Sequence, residues 1–158
     1  KYRPNDEGIT PPSVWTDKKY SATEYGTNQL KKLFGNQSVF DFPKSIHAVE
    51  DCIDISGMRN KNSVCLDYFA GSGTTGHAVM NLNRKDSGER KFILVEQGKY
   101  FDTITTPRIL KSAFSEDWAN GKPKATKSSS VIIKSIKLEG YEDTLNNLEL
   151  KKAQQTCH

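Results

Sequence analysis

Three glycines, Gly71, Gly73 and Gly76, follow an apolar run, Val64-Cys65-Leu66, that ends in Asp67. A helix-like segment, His77 to Leu82, comes next. A strand, a tight glycine turn and a helix form the opening of a nucleotide-type βαβ unit. Gly71 and Gly73 let the backbone turn sharply and approach a ligand closely. The amide groups that open the helix have no intrahelical partners and offer hydrogen bonds. Glu96 closes the next apolar run, 20 positions past Gly76. A carboxylate there can accept both hydroxyls of an adenosine ribose.

Two residues separate the possible cofactors. Asp67 stands four positions before Gly71. A dinucleotide would bring its pyrophosphate to this turn, where a further carboxylate repels it. S-adenosyl-L-methionine has no phosphate; its α-ammonium and sulfonium groups favour a nearby carboxylate. Phe69 supplies an apolar wall. Asp67-x-Phe69-x-Gly71-x-Gly73 therefore fits S-adenosylmethionine better than NAD. A nicotinamide-dependent Rossmann oxidoreductase is the alternative enzyme reading. On this view Gly73→Val blocks the cofactor by placing volume where the backbone must approach it, and Asp67→Ala weakens its binding.

The elements that must carry these residues follow from pattern. Asn28 to Phe34 suits a short helix stopped by Gly35. Ile46, Val49 and Ile53 recur at helical spacing, with Pro43 suited to the first helical position. Val64 to Asp67 reads as the first strand. Thr74 to Leu82 reads as a helix with Ala78, Val79 and Leu82 inward, and Asn83 to Arg90 as a loop. Phe92 to Val95 has the form of a strand buried on both faces. Tyr100 to Phe114 reads as a helix through Phe101, Ile104, Leu110 and Phe114, interrupted at Pro107 with Thr105 or Thr106 as a new cap. Residues 115–130 read as loop, Val131 to Leu138 as β-like, and Tyr141 to Leu148 as a short helix. The order implies an α/β fold with a parallel, doubly wound sheet.

The chain has 158 residues, 35% of them hydrophobic, and a mean hydropathy of −0.68. One domain with a thin core is expected. The net charge of +4 and pI near 8.9 are compatible with nucleic acid without indicating it. No apolar run reaches the ~18 residues of a membrane span, and no signal-peptide pattern appears, which favours a soluble intracellular protein. Cys52, Cys65 and Cys157 show no metal-ligand spacing, so no metal site is expected. Trp15, Tyr20 and Tyr25 alternate with Lys18, Lys19, Lys31 and Lys32. Such aromatics either stack on nucleic acid or pack onto the domain; packing is favoured, because Asp17 and Glu24 dilute the charge.

The stretch Asp67-Tyr68-Phe69-Ala70-Gly71-Ser72-Gly73-Thr74-Thr75 resembles motif I of amino-methylating DNA methyltransferases. Val39-Phe40-Asp41-Phe42-Pro43-Lys44 resembles their motif X, with Phe42 for the usual Tyr and Ser45 where a second Pro often lies. Motif X before motif I is the β-group order. Lys91 to Glu96, Tyr100-Phe101-Asp102 and Tyr141 to Leu148 resemble the Mod subunit of type III restriction–modification systems. The resemblance implies a class I, Rossmann-like methyltransferase fold. It implies that Asp67, Phe69, Ala70, Gly71, Ser72, Gly73 and Thr74 line the cofactor, Glu96 holds the ribose, and Phe42, Pro43 and Lys44 close over the methionyl end. Lys44 could pair with the cofactor carboxylate.

The resemblance also implies methyl transfer to adenine N6 in double-stranded DNA, in a prokaryotic cytoplasm, with a second Mod subunit and a restriction (Res) subunit as partners. Such transfer uses a D/N/S-P-P-Y/F/W motif to hold the flipped base. The chain's single Pro-Pro, in Thr10-Pro11-Pro12-Ser13, lacks the motif's leading Asp or Asn and its aromatic. No catalytic residue is therefore assigned. The expectation is a C-terminal fragment: residues 1–38 an irregular segment following a missing catalytic and target-recognition region, 39–150 the cofactor half, 151–158 a tail. A non-catalytic interaction module is the remaining alternative.

Overall fold

The computed structural model describes residues 11–35, 37–57, 60–124, 128 and 130–145. Its centre is a parallel pair of strands, β1 (Val64–Asp67) and β2 (Lys91–Leu94), joined by a long helix. The register sets Val64 opposite Lys91, Cys65 opposite Phe92, Leu66 opposite Ile93 and Asp67 opposite Leu94. The ladder continues past the strands: Val95 N–H donates to Asp67 O at 2.8 Å and Ala70 N–H to Val95 O at 3.1 Å. That extension brings Glu96 beside the turn that leaves β1.

Helices before and after the strands cover one face. α1 (Asn28–Phe34) follows a π-helical turn at Thr23–Thr27 and stops at Gly35, whose amide donates to Lys31 O. α2 is Ile46–Ile55. It begins three residues later than Pro43, which lies buried in the extended lead-in and not at the first helical position. α3 is Thr74–Asp86 and α4 is Thr106–Phe114, the latter preceded by a π-helical turn at Phe101–Thr105. Ile46 and Ile53 of α2 meet Ala78, Val79 and Leu82 of α3, with Cys65 and Phe92 of the strands partly buried against them. Each larger side chain so buried contributes about 1.5–3 kcal/mol. A second cluster joins Leu30 and Leu33 to Trp118. The aromatics of the N-terminal segment pack onto this body: Tyr20 Oη donates to Asp51 at 2.6 Å, Lys19 pairs with the same carboxylate, and Tyr25 meets His47 edge-on.

Several expected features differ. α3 does not end at Leu82 but runs to Asp86, because its polar end is tied down. Asn83 Nδ2 donates to Arg90 O, Asp86 takes two guanidinium bonds from Arg90, and Lys85 pairs with the buried Glu50 of α2. Residues 115–130 are not all loop; β3 (Trp118–Ala119) and β4 (Lys122–Pro123) pair antiparallel around Asn120-Gly121. Residues 131–138 form no ladder; 141–145 are helical, and the remainder of the expected helix to Leu148 lies outside the described residues. β2 is not buried on both faces: Ile93 and Val95 are exposed, as are Val64 and Leu66 of β1, since among the described residues no layer lies over them. The parallel α/β arrangement is observed; among the described residues the sheet is one parallel pair and is not doubly wound. Nor, among these residues, is any helix long and apolar enough to cross a membrane.

Candidate cofactor site

β1 ends at Asp67 and hands the chain to a turn over residues 68–73, after which α3 begins. Asp67 organises this turn with both oxygens. Oδ1 accepts from Phe69 N–H at 3.0 Å, and Oδ2 accepts from Thr75 Oγ1, in the first turn of α3, at 2.5 Å. Gly71 and Gly73 have φ of 54° and 79°, the left-handed region that costs a side-chain-bearing residue about 1–2 kcal/mol. Gly76 is needed for a different reason. A Cβ there would lie 2.6 Å from Ile109 Cδ1 and 3.1 Å from Leu94 Cδ1, so its hydrogen lets α3 lie close to α4 and β2.

The turn's other wall is Glu96. Its Oε2 accepts from Gly71 N–H and its Oε1 from Gly98 N–H, both at 2.8 Å, and the Tyr100 hydroxyl also donates to it. Burial pushes this carboxyl's pKa up. The Gly98 and Gly71 amides, Tyr100 and the Gln97 amide outweigh that and bring it below the ordinary value. Glu96 is therefore ionised at neutral pH and fixed in direction. A carboxylate has about four lone-pair directions, and these four donors already point at them, so a diol would have to displace or share some of these bonds.

Beside Gly71 and Glu96 opens a cavity of about 410 Å³, lined by Ser38, Val39, Phe40, Asp41, Tyr100 and Ile104. Phe40 and Tyr100 form an edge-on aromatic pair with centroids 5.0 Å apart. Phe40 reaches to within 3.4 Å of where a Cβ on Gly71 would lie. A polar cavity of about 450 Å³ at the far end of α3, among Asn81, Arg84, Lys85, Glu116 and Ser128, holds none of the turn's residues.

The sequence-predicted residues fall into three groups. Asp67, Gly71, Gly73 and Glu96 converge on the turn. Ala70, Ser72 and Thr74 belong to it but are buried, so their side chains offer little surface to a ligand. Phe69 stands on the outside, 85% exposed. In the stretch 42–44, Pro43 is buried and Lys44 exposed, while Phe42 is 90% exposed with a φ of 53°, an uncommon conformation for an aromatic residue. Phe40, earlier in the same stretch, has the ring that faces Gly71.

Phe40, Thr75, Tyr100, Thr105 and Arg108 also shape the site and were not assigned to the cofactor from the sequence. Thr105 Oγ1 donates to Gly71 O at 2.5 Å. The expected inward face of α4 is rotated: Leu110 and Phe114 are exposed, and Thr105, Arg108, Ile109 and Ser112 are buried. Those four positions have helical spacing, but polar residues at three of them hid the stripe from a hydrophobic count.

The Gly73→Val expectation also needs a different reason. A Cβ at Gly73 would point at Thr105 Cγ2, 3.3 Å away, and at Ile109, into the protein. The substitution strains the turn from beneath instead of filling the ligand's space. Among the described residues no group of three or more His, Cys, Asp or Glu is placed to hold a metal ion.

Comparison with known proteins adds the family. The DNA methylase family model, for N6/N4 methyltransferases, matches residues 1–106. The type II methyltransferase M.KpnI of Klebsiella pneumoniae is 40% identical over 95 residues, 60% of this chain and 22% of that protein. The EcoPI Mod subunit of the type III restriction-modification enzyme of Escherichia phage P1 is 44% identical over 87 residues, 55% of this chain and 13% of that one. The StyLTI Mod subunit of Salmonella typhimurium is 39% identical over 105 residues, 65% and 15%. The chain thus spans less than a quarter of the length of the curated relatives it matches. Strand, glycine turn, paired carboxylates and family match lead to one assignment: this chain belongs to the N6/N4 DNA methylase family.

Proposed function

We infer that this chain is the S-adenosylmethionine-binding part of a site-specific DNA methyltransferase that modifies adenine N6 within a type III restriction–modification system. The observation that carries the reading is the placement of two carboxylates on either side of one glycine turn. Asp67 braces it from β1, and Glu96, ionised and fixed by two backbone amides, flanks Gly71 from β2. The cofactor supplies a methyl group on a sulfonium. In this chain Glu96 receives the ribose hydroxyls, the 410 Å³ cavity beside Phe40 and Tyr100 offers an aromatic wall, and Phe69 and Phe42 stand exposed at the rim. Asp67 places negative charge near the cofactor's cationic end. Phe42, Pro43 and Lys44 form the strip expected to close over its methionyl portion.

No motif that would hold the target base is assigned in this sequence. On the open face of the β1–β2 pair, Val64, Leu66, Ile93 and Val95 make an apolar surface suited to a further layer. Double-stranded DNA is the substrate, and the partners are a second Mod subunit and a Res subunit, in the cytoplasm of a prokaryotic cell. The choice of type III rests on the Mod subunits among the relatives.

The test is methyl transfer by the full-length protein from labelled S-adenosylmethionine to DNA, with the modified nucleoside identified by mass spectrometry. N6-methyladenine supports the reading. N4-methylcytosine would move the target base, and no transfer by a folded protein that also fails to bind the cofactor would overturn it.

A further inference from the structure

Arg108, on the first turn of α4, is fully buried, and the partners of its guanidinium among the described residues are all neutral. Nη1 donates to Ser72 Oγ at 2.8 Å and Thr74 Oγ1 at 2.9 Å, and lies 3.4 Å from Ser72 O. Nε faces His77 Nδ1 at 3.4 Å, and Nη2 has no hydrogen-bond partner among the described residues. Burying an ionised group without an opposite charge is costly. Its pKa shows that cost, brought down by burial to about 9. His77, which receives the Nε contact, is held well below its ordinary value by burial and by the Arg108 and Arg84 charges, and so stays neutral.

An apolar side chain of similar length would fill the same space without this penalty. What the guanidinium adds is a rigid set of donors in one plane. They converge on Ser72 and Thr74, the two residues flanking Gly73. One turn earlier on the same buried stripe, Thr105 holds Gly71 O. The glycine turn is thus pinned from beneath at consecutive points, through a stretch whose two glycines have left-handed φ and would otherwise be freely variable.

We propose that Arg108 is a positioning residue for the cofactor: by clamping Ser72 and Thr74 it holds the glycine turn in its ligand-receiving shape. It does not touch the ligand, and its side chain never reaches solvent. Preorganisation of this kind acts on affinity by removing the cost of ordering the turn at the moment of binding. The inference rests on the reading of the turn as the S-adenosylmethionine site.

The experiment compares full-length wild type with Arg108→Met, Arg108→Lys and the double variant Ser72→Ala/Thr74→Val. Each is titrated calorimetrically with S-adenosylhomocysteine, melted without ligand, and assayed for kcat and KM. Arg108→Met should raise Kd and the cofactor KM about tenfold with kcat near wild type, and Arg108→Lys should recover part of the affinity. Combining Arg108→Met with the double variant should add no further loss, because all three changes cut one linkage. A folded Arg108→Met protein with wild-type Kd, or fully additive penalties, overturns the inference. If Arg108→Met does not fold, the double variant decides alone: its acceptors are buried hydroxyls, and wild-type affinity there overturns the inference too. Failure of wild type itself to bind would instead strike the reading of the site.

Discussion

The two faces of the β1–β2 pair are built differently. Cys65, Phe92 and Leu94 point toward α2, α3 and α4, where apolar packing is reinforced by polar links such as Lys85 to the buried Glu50 and the buried Arg108–Ser72 contact. Val64, Leu66, Ile93 and Val95 point the other way and stay exposed. The candidate site belongs wholly to the covered side and its upper edge. The side chains of Asp67, Glu96, Thr105 and Arg108 are held by groups on α3, the turn and the loop after β2, and none of these bonds involves a side chain of the open face. The cofactor end is thus specified without the layer that would finish the sheet.

The sharpest way to break the covered side is at Gly76. Replacing it with Val puts a branched side chain where even one carbon would lie 2.6 Å from Ile109. Overpacking of this kind costs about 1–3 kcal/mol and occasionally more; we expect about 3 kcal/mol, read as a lowered urea midpoint. An unchanged midpoint would mean that α3 and α4 are not in close contact.

Deletions on the two faces should differ next. Leu82→Ala, on the covered side, should cost about 2–3 kcal/mol, whereas Ile93→Ala, already half exposed, should cost less than about 1 kcal/mol. Equal losses in the 158-residue chain would show that the open face is covered in solution. In the full-length protein the Ile93→Ala cost should rise if that face receives a further layer.

A proton probes the covered side more gently. His77 is buried, and its folded-state pKa is depressed well below the ordinary value, chiefly by desolvation. Below about pH 6.5 the unfolded chain takes up this proton and the folded one does not. Stability therefore falls as the pH drops from 6.5 toward the folded-state pKa, by up to about 1.4 kcal/mol per pH unit. His77→Gln should flatten that part of the curve. Parallel curves for the two proteins would mean that His77 is solvated or charged in the native state.

The parts of this molecule legible in its sequence were those fixed by local chemistry. The span of β1, the stop of α1 at Gly35, and the inward Ala78, Val79 and Leu82 follow from alternation, a left-handed glycine and helical spacing. Asp67, the glycines and Glu96 were legible because backbone conformation and charge at a strand end leave a short-range signature. What stayed hidden depends on contacts distant in sequence. The last turn of α3 is polar and is helical because Arg90 and Glu50 anchor it. The buried stripe of α4 is mostly polar, since its task is to hold the turn by hydrogen bonds, and hydrophobicity cannot find it. Phe40 was passed over for Phe42 and Lys44, yet its ring is the one against Gly71.

The central claim is that this turn receives the adenosyl group between Asp67 and Glu96. Calorimetric titration with S-adenosylhomocysteine of wild type, Glu96→Ala and Asp67→Ala tests it most directly. Each lost hydrogen bond to a charged group is worth about 1.5–3 kcal/mol, which is about a 10- to 150-fold loss of affinity. Measurable binding by wild type, a loss in that range for Glu96→Ala and a smaller loss for Asp67→Ala are expected. Wild-type affinity in both folded variants would contradict it.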